Sequence, residues 1–113
     1  MSAITTHVLD TARGCPAAGI RVELEQMDAL GAWKPIARGT TDADGRIGTL
    51  MPAGTPALPG TYRLLFATET YFTARAIPAF YPHVVVTFTV EAEGHYHVPL
   101  LLSPFGYSTY RGS

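Results

Sequence analysis

The sequence has one cysteine, almost no net charge and no long apolar run, and each shortage removes a class of protein. Cys15 has no partner for an intrachain disulfide and no second thiol for a thiolate metal site. Eight basic residues stand against nine acidic ones, a net charge of −1 over 113 residues, so nothing draws in nucleic acid or an anionic membrane surface. No uncharged stretch reaches the length that a membrane-spanning helix needs. The opening segment, Met1 to His7, has neither the basic region nor the apolar core of an export signal, and Arg111-Gly112-Ser113 is not a peroxisomal address. These features lead us to expect a cytoplasmic protein. What is abundant is apolar side chain, 47% of the residues, which excludes disorder and exceeds what one small core needs. The surplus points to self-association.

Eleven glycines and nine prolines interrupt the chain, spaced about ten residues apart in the rhythm of an all-β sandwich. With no internal repeat, linker or low-complexity tract, residues 1–113 are expected to form one domain. Ile20 to Glu25 alternates without a break, so Ile20, Val22 and Leu24 share one face and Arg21, Glu23 and Glu25 the wet one. Trp33 to Thr41 is a second strand, closing in the turn Thr41-Asp42-Ala43-Asp44-Gly45, where Asp-Gly suits a positive φ. Tyr62 to Ala67 is a third, and Val84 to Val90, rich in χ1-stiff valine and threonine, the strongest. Glu69 to Ala76 lacks Gly and Pro, follows Thr68 and Thr70 as N-cap candidates and stops before Pro78; it reads as one short helix among about eight strands.

Alternation becomes informative where a polar residue sits on an apolar face. In Ile4 to Asp10, His7 shares a side with Thr5 and Leu9, while Val8 points the other way. In His95 to Leu102, His95, His97, Pro99 and Leu101 form one face and Tyr96, Val98, Leu100 and Leu102 the other. Both faces of this strand are largely apolar and both want covering, one by the sandwich core and one by a partner subunit. A histidine on a strand is ordinarily a surface or hydrogen-bonded structural group. His95 and His97 have a spacing that strand zinc ligands use, but no cysteine or acidic third ligand lies near, so a metal is not expected. General acid–base chemistry is the remaining reading, and it needs a partner for developing charge. Arg46, directly after the Asp44-Gly45 turn, would supply one, although an arginine there is ordinarily just solvated. The end of the sequence, Phe105 to Ser113, stays aromatic and strand-like, so something must hold it. Composition and spacing alone reach a β-sandwich with an ordered tail.

Three blocks extend this. Thr6-His7-Val8-Leu9-Asp10-Thr11-Ala12-Arg13-Gly14-Cys15-Pro16-Ala17, then Asp44-Gly45-Arg46, and finally His95 through Ser113 with its closing Tyr110-Arg111-Gly112-Ser113, closely resemble the 5-hydroxyisourate hydrolases, transthyretin-related enzymes of urate breakdown. The resemblance runs from His7 to Ser113. It implies a transthyretin-like β-sandwich of two four-stranded sheets, Greek-key in type, assembled as a homotetramer (a dimer of dimers) with active sites between the dimers. It implies His7, Arg46, His97 and Ser113 as catalytic residues, with Tyr110, Arg111 and Gly112 joining them in holding the substrate; Ser108, two residues before Tyr110 on the same strand face, reads as a further substrate-lining residue. His95 is less firmly implied. Two positions depart from the family or vary within it: His83, where relatives tend to carry an acidic residue, and Cys15 in an early turn; both read as neutral.

The implied reaction opens a ring of 5-hydroxyisourate at a carbonyl–nitrogen bond, giving 2-oxo-4-hydroxy-4-carboxy-5-ureidoimidazoline. Water needs a base and the tetrahedral intermediate needs a donor or cation. His7 and His97 would divide the proton transfers, in an order the sequence leaves open. Arg46 would hold substrate oxygens with a permanently charged fork, and Ser113, through its hydroxyl and terminal carboxylate, would complete the polar wall. No cofactor or metal is called for, and no nucleic acid or membrane partner. The competing reading is a transthyretin-like carrier of a small aromatic ligand, which would want aliphatic residues where this sequence has His7, Arg46 and His97.

Overall fold

The computed structural model describes residues 2–113. Eight strands and one helix run in the order β1 (Ile4–Asp10), β2 (Cys15–Pro16), β3 (Arg21–Met27), β4 (Trp33–Thr40), β5 (Gly60–Phe66), α1 (Thr68–Thr73), β6 (Val84–Val90), β7 (Tyr96–Ser103) and β8 (Gly106–Thr109). They form two four-stranded sheets, β2-β1-β7-β8 and β4-β3-β5-β6. Alternation decides which side chains meet between them. Val22, Leu24, Leu64 and Phe66 from one sheet, with Ile20 just ahead of β3, face Ile4, Val8 and Leu100 from the other, and each of these is fully buried. Burial of one such side chain is worth roughly 1.5–3 kcal/mol, and the alternating strands repeat it along their length.

The strands agree closely with the sequence reading. The helix does not. It runs from Thr68 to Thr73 with Ala67 as its N-cap and no side-chain cap. Thr68 lies inside the first turn, its hydroxyl turned to the Tyr81 carbonyl (3.4 Å). Packing replaces capping here: Tyr71 and Phe72 are buried, and the Tyr71 hydroxyl donates to the buried Asp10 carboxylate at 2.7 Å, tying the helix to β1. No helix among the described residues is long and apolar enough to cross a membrane.

The pairing of β1 with β7 does most to shape the outer surface of its sheet. The two strands run parallel through the middle of that sheet, with Thr5 beside His97, His7 beside Pro99 and Leu9 beside Leu101. Neighbours in register point the same way, so these six share the outer face, as the alternation requires. Pro99 is buried even there, while Thr5, His7, His97, Leu9 and Leu101 are half-buried.

Candidate functional site

Arg46 reaches this face because of a tightly built turn. The Asp42 carboxylate accepts from the amides of Asp44 (2.8 Å) and Arg46 (3.1 Å), and the Asp42 amide donates to the Arg46 carbonyl (2.8 Å). Gly45 has φ +75°, open to glycine at no steric cost, and its carbonyl accepts from the Val8 amide at 2.8 Å. A Cβ at Gly45 would overlap the Val8 carbonyl oxygen and come within 3.3 Å of the His7 ring. Close backbone approach therefore seats the turn on β1, with Arg46 bridged antiparallel to His7.

The tail is fastened from the other side. The Thr109 hydroxyl donates to the Pro99 carbonyl (2.6 Å), the Arg111 guanidinium lies 4.7 Å over the Tyr96 ring, and the Gly112 amide donates to the His97 carbonyl (2.8 Å). Gly112 packs against the His97 ring, and any Cβ there would overlap it. This explains the ordered end and delivers Ser113 to the cleft.

That cleft, about 470 Å³, is lined by Thr5, Thr6, Arg46, His95, His97 and Ser113 with Ser2, Ile47 and Gly48. His7 stands beside it rather than in its wall, close enough for its charge to bear on His97. Three of the anticipated residues lie elsewhere in the single chain. Ser108 stands exposed on β8 opposite Leu101. Tyr110 and Arg111 line a separate groove of about 300 Å³ with Val86, Phe88 and Tyr96, where they position the tail. His83 lies just ahead of β6, at a groove with Arg21 and Arg38, and Cys15 is a half-buried free thiol.

Two contributors escape the sequence reading. The Thr5 hydroxyl is 2.8 Å from His97 Nδ1 and 3.1 Å from His95 Nε2, and the two imidazoles lie nearly parallel, 6.5 Å apart. Thr5 shares the His7 face by simple alternation, so the signal is present, but only the β1–β7 register puts it against both histidines. Asp42 is the other, legible in the Asp-x-Asp-Gly pattern of a side-chain-stabilised turn. Burial holds the His97 imidazole below the ordinary histidine range, helped by the positive charges of Arg46, His95 and His7 and opposed by a hydrogen bond to the Thr5 backbone. His97 is thus neutral near pH 7 and able to accept a proton. Among the described residues no three His, Cys, Asp or Glu side chains converge to hold a metal ion.

A neutral imidazole, a fixed guanidinium and a hydroxyl around one small cleft suit attack of water on a polarised carbonyl. The chain is 48% identical to the 5-hydroxyisourate hydrolase of Mus musculus over 115 residues, 99% of this chain and 96% of that protein. Its fold matches that of a sea bream transthyretin in complex with thyroxine (TM-score 0.91, 35% identity, 98% of this chain and 95% of that one). It also matches the 5-hydroxyisourate hydrolase of Klebsiella pneumoniae (TM-score 0.85, 33% identity, 99% of this chain and all of that one). The profile of the HIUase/Transthyretin family covers residues 4–112, and the chain belongs to that family.

Proposed function

We propose that this chain is a 5-hydroxyisourate hydrolase of urate degradation, giving 2-oxo-4-hydroxy-4-carboxy-5-ureidoimidazoline, and that residues 1–113 act as one transthyretin-like hydrolase domain. The observation that carries the reading is polarity: Arg46, His97 and Ser113 meet in one cleft on an otherwise apolar sheet face. A carrier of apolar ligands has no use for that cluster, and the fold alone does not separate the two, since it matches a transthyretin and a hydrolase alike.

His97, neutral near pH 7, takes a proton from water at the ring nitrogen that Thr5 does not hold, and the water oxygen bonds to the ring carbonyl carbon. Arg46 faces the negative charge that grows on the carbonyl oxygen. As the intermediate collapses the carbon–nitrogen bond breaks, and His7 delivers a proton to the leaving nitrogen. Ser113 completes the wall, Gly112 keeps the His97 ring in place, and Tyr110 and Arg111 anchor the tail. Ser108 belongs to the substrate surface only in an assembly that brings a second copy over this face. A homotetramer, with the half-buried Leu9 and Leu101 facing a second dimer, provides that cover. The unpaired, half-buried Cys15 suits a reducing compartment, in keeping with the cytoplasm.

The test is direct. 5-Hydroxyisourate is generated in situ with urate oxidase and its absorbance decay is followed with and without the protein. Accelerated decay supports the reading, and decay at the spontaneous rate removes it. Sedimentation of the active species reports the assembly, a tetramer being expected and a fully active monomer overturning that part. Cell fractionation reports the compartment.

A further inference from the structure

We propose that Thr5 is a positioning residue which, together with the exposed His95, forms a proton relay to His97 and sets the tautomer in which His97 meets the attacking water. The inference rests on the hydrolase reading and deepens it at the same site. Its basis is a single hydroxyl placed within hydrogen-bond distance of two imidazole nitrogens, His97 Nδ1 at 2.8 Å and His95 Nε2 at 3.1 Å. A hydroxyl has one proton to donate, so it donates to one ring and accepts from the other. The two histidines therefore cannot choose their tautomers independently.

In the resting state His97 carries its proton on Nδ1 and gives it to the Thr5 oxygen, which leaves the Nε2 lone pair free. Thr5 in turn donates to His95 Nε2. When His97 Nε2 accepts the proton of water, the Nδ1 proton passes to Thr5 and the hydroxyl proton of Thr5 passes to His95. The positive charge then rests on His95, which is exposed and hydrated, instead of on His97, which is half-buried beside Arg46 and His7 and shares its cleft with Ser113. A charge costs less in water than in a partly desolvated pocket beside a guanidinium, and this difference drives the shift. As product leaves, His97 releases its Nε2 proton to solvent, and the reverse shift returns a proton from His95 through Thr5 to Nδ1. His7 takes back from solvent the proton it gave to the leaving nitrogen, so no proton is gained or lost over the cycle. The parallel rings, 12° apart, hold both nitrogens to the one oxygen.

The experiment compares Thr5→Val, which keeps the shape and removes the hydroxyl, with Thr5→Ser, which restores it, and with His95→Gln. Thr5→Val is expected to lower kcat by about 100-fold, the lower end of the range for groups in proton transfer, with little change in KM or Tm. Thr5→Ser should recover most of that loss, and His95→Gln should flatten the acid side of the pH profile. In parallel, the ¹⁵N shifts of labelled histidine in the parent should show His97 fixed with its proton on Nδ1, and in Thr5→Val a mixture of tautomers. Parent-like kcat and pH profile in Thr5→Val, or an unchanged His97 tautomer, overturns the relay. The nitrogen spectra need no substrate, so a protein that failed to hydrolyse 5-hydroxyisourate would sink the hydrolase reading while the relay was still decided.

Discussion

The two outer faces of the sandwich are built by the same alternation and have opposite characters. On the β4-β3-β5-β6 sheet the outward positions of β3 are Arg21, Glu23 and Glu25, answered across the strands by Arg38 and Arg63. Glu25 and Arg63 close an ion pair at 2.7 Å, and the Arg63 guanidinium lies 4.2 Å over Trp33. On the central β1–β7 pair of the β2-β1-β7-β8 sheet the outward positions are Leu9, Pro99 and Leu101, with polar groups only at Thr5, His7 and His97. Charge on the first face is dispersed and finds partners in water or across strands. Polarity on the second is rare and gathers in and beside one cleft. The contrast teaches that polar residues carry functional information in proportion to how little their surroundings require them.

The sharpest way to break that contrast is to truncate one residue on each face. His97→Ala, or His7→Ala, should lower kcat for 5-hydroxyisourate by roughly 10²–10⁴ while Tm stays near the parent value. Glu23→Ala, on the charged face, should leave turnover unchanged. Turnover in His97→Ala equal to that of Glu23→Ala would erase the functional difference between the faces.

The same physics decides how much of the molecule is legible in its sequence. β3, β5 and β6 are readable because their alternation is uninterrupted and each has one dry face. The candidate histidines are readable because they violate such a pattern on β1 and β7. What period-2 reasoning cannot supply is which strands become neighbours, so the juxtaposition of Thr5 with His95 and His97 depends on the parallel β1–β7 register. The helix begins ahead of its expected start because local capping signals at Thr68 and Thr70 yield to the burial of Tyr71 and Phe72 and to the Tyr71–Asp10 hydrogen bond. Tyr110 and Arg111 share the closing segment with Ser113, yet they line another groove, and nothing in their spacing says so.

A smaller effect is expected at the turn that carries Arg46 to the apolar face. Gly45→Ala meets both a positive φ and the Val8 carbonyl oxygen, and should cost about 1–3 kcal/mol in chemical denaturation. Gly14 has a similar φ of +69° with open space around it, so Gly14→Ala should cost less, about 1 kcal/mol. Gly45→Ala should also slow turnover, because Arg46 and His7 are held by the same contact. Equal costs at the two glycines would mean that the close approach to β1 contributes nothing.

Electrostatics within the apolar face gives the next prediction. The folded His97 value lies below the unfolded value of about 6.5, so its neutral form survives to lower pH than an ordinary histidine's, and the acid limb of the rate profile should fall below that pH. The sign for stability is the same: this contribution is present above the unfolded value and is lost as pH falls through the window beneath it, because the unfolded chain binds the proton more readily. Arg46→Gln removes one of the neighbouring positive charges, so His97 should titrate closer to its ordinary value, moving the acid limb upward. A limb that stays in place would show that burial alone sets the His97 value.

The charged face should yield the smallest response, and it calibrates the others. Arg63 is partly exposed, pairs with Glu25 and covers Trp33, so Arg63→Met removes an ion pair and a cation–ring contact but keeps most of the side-chain volume. Pairs of this kind contribute about 0–1 kcal/mol, since water competes for both charges and salt screens them. Denaturation of Arg63→Met should therefore show a loss within that range, shrinking further as ionic strength rises, with kcat and the pH profile unaltered. A loss of several kcal/mol that salt does not touch would mean that Arg63 acts through packing on Trp33 rather than through charge. The wet face would then be a second apolar face in disguise, and the distinction between the two sheets would rest on His7, Arg46 and His97 alone.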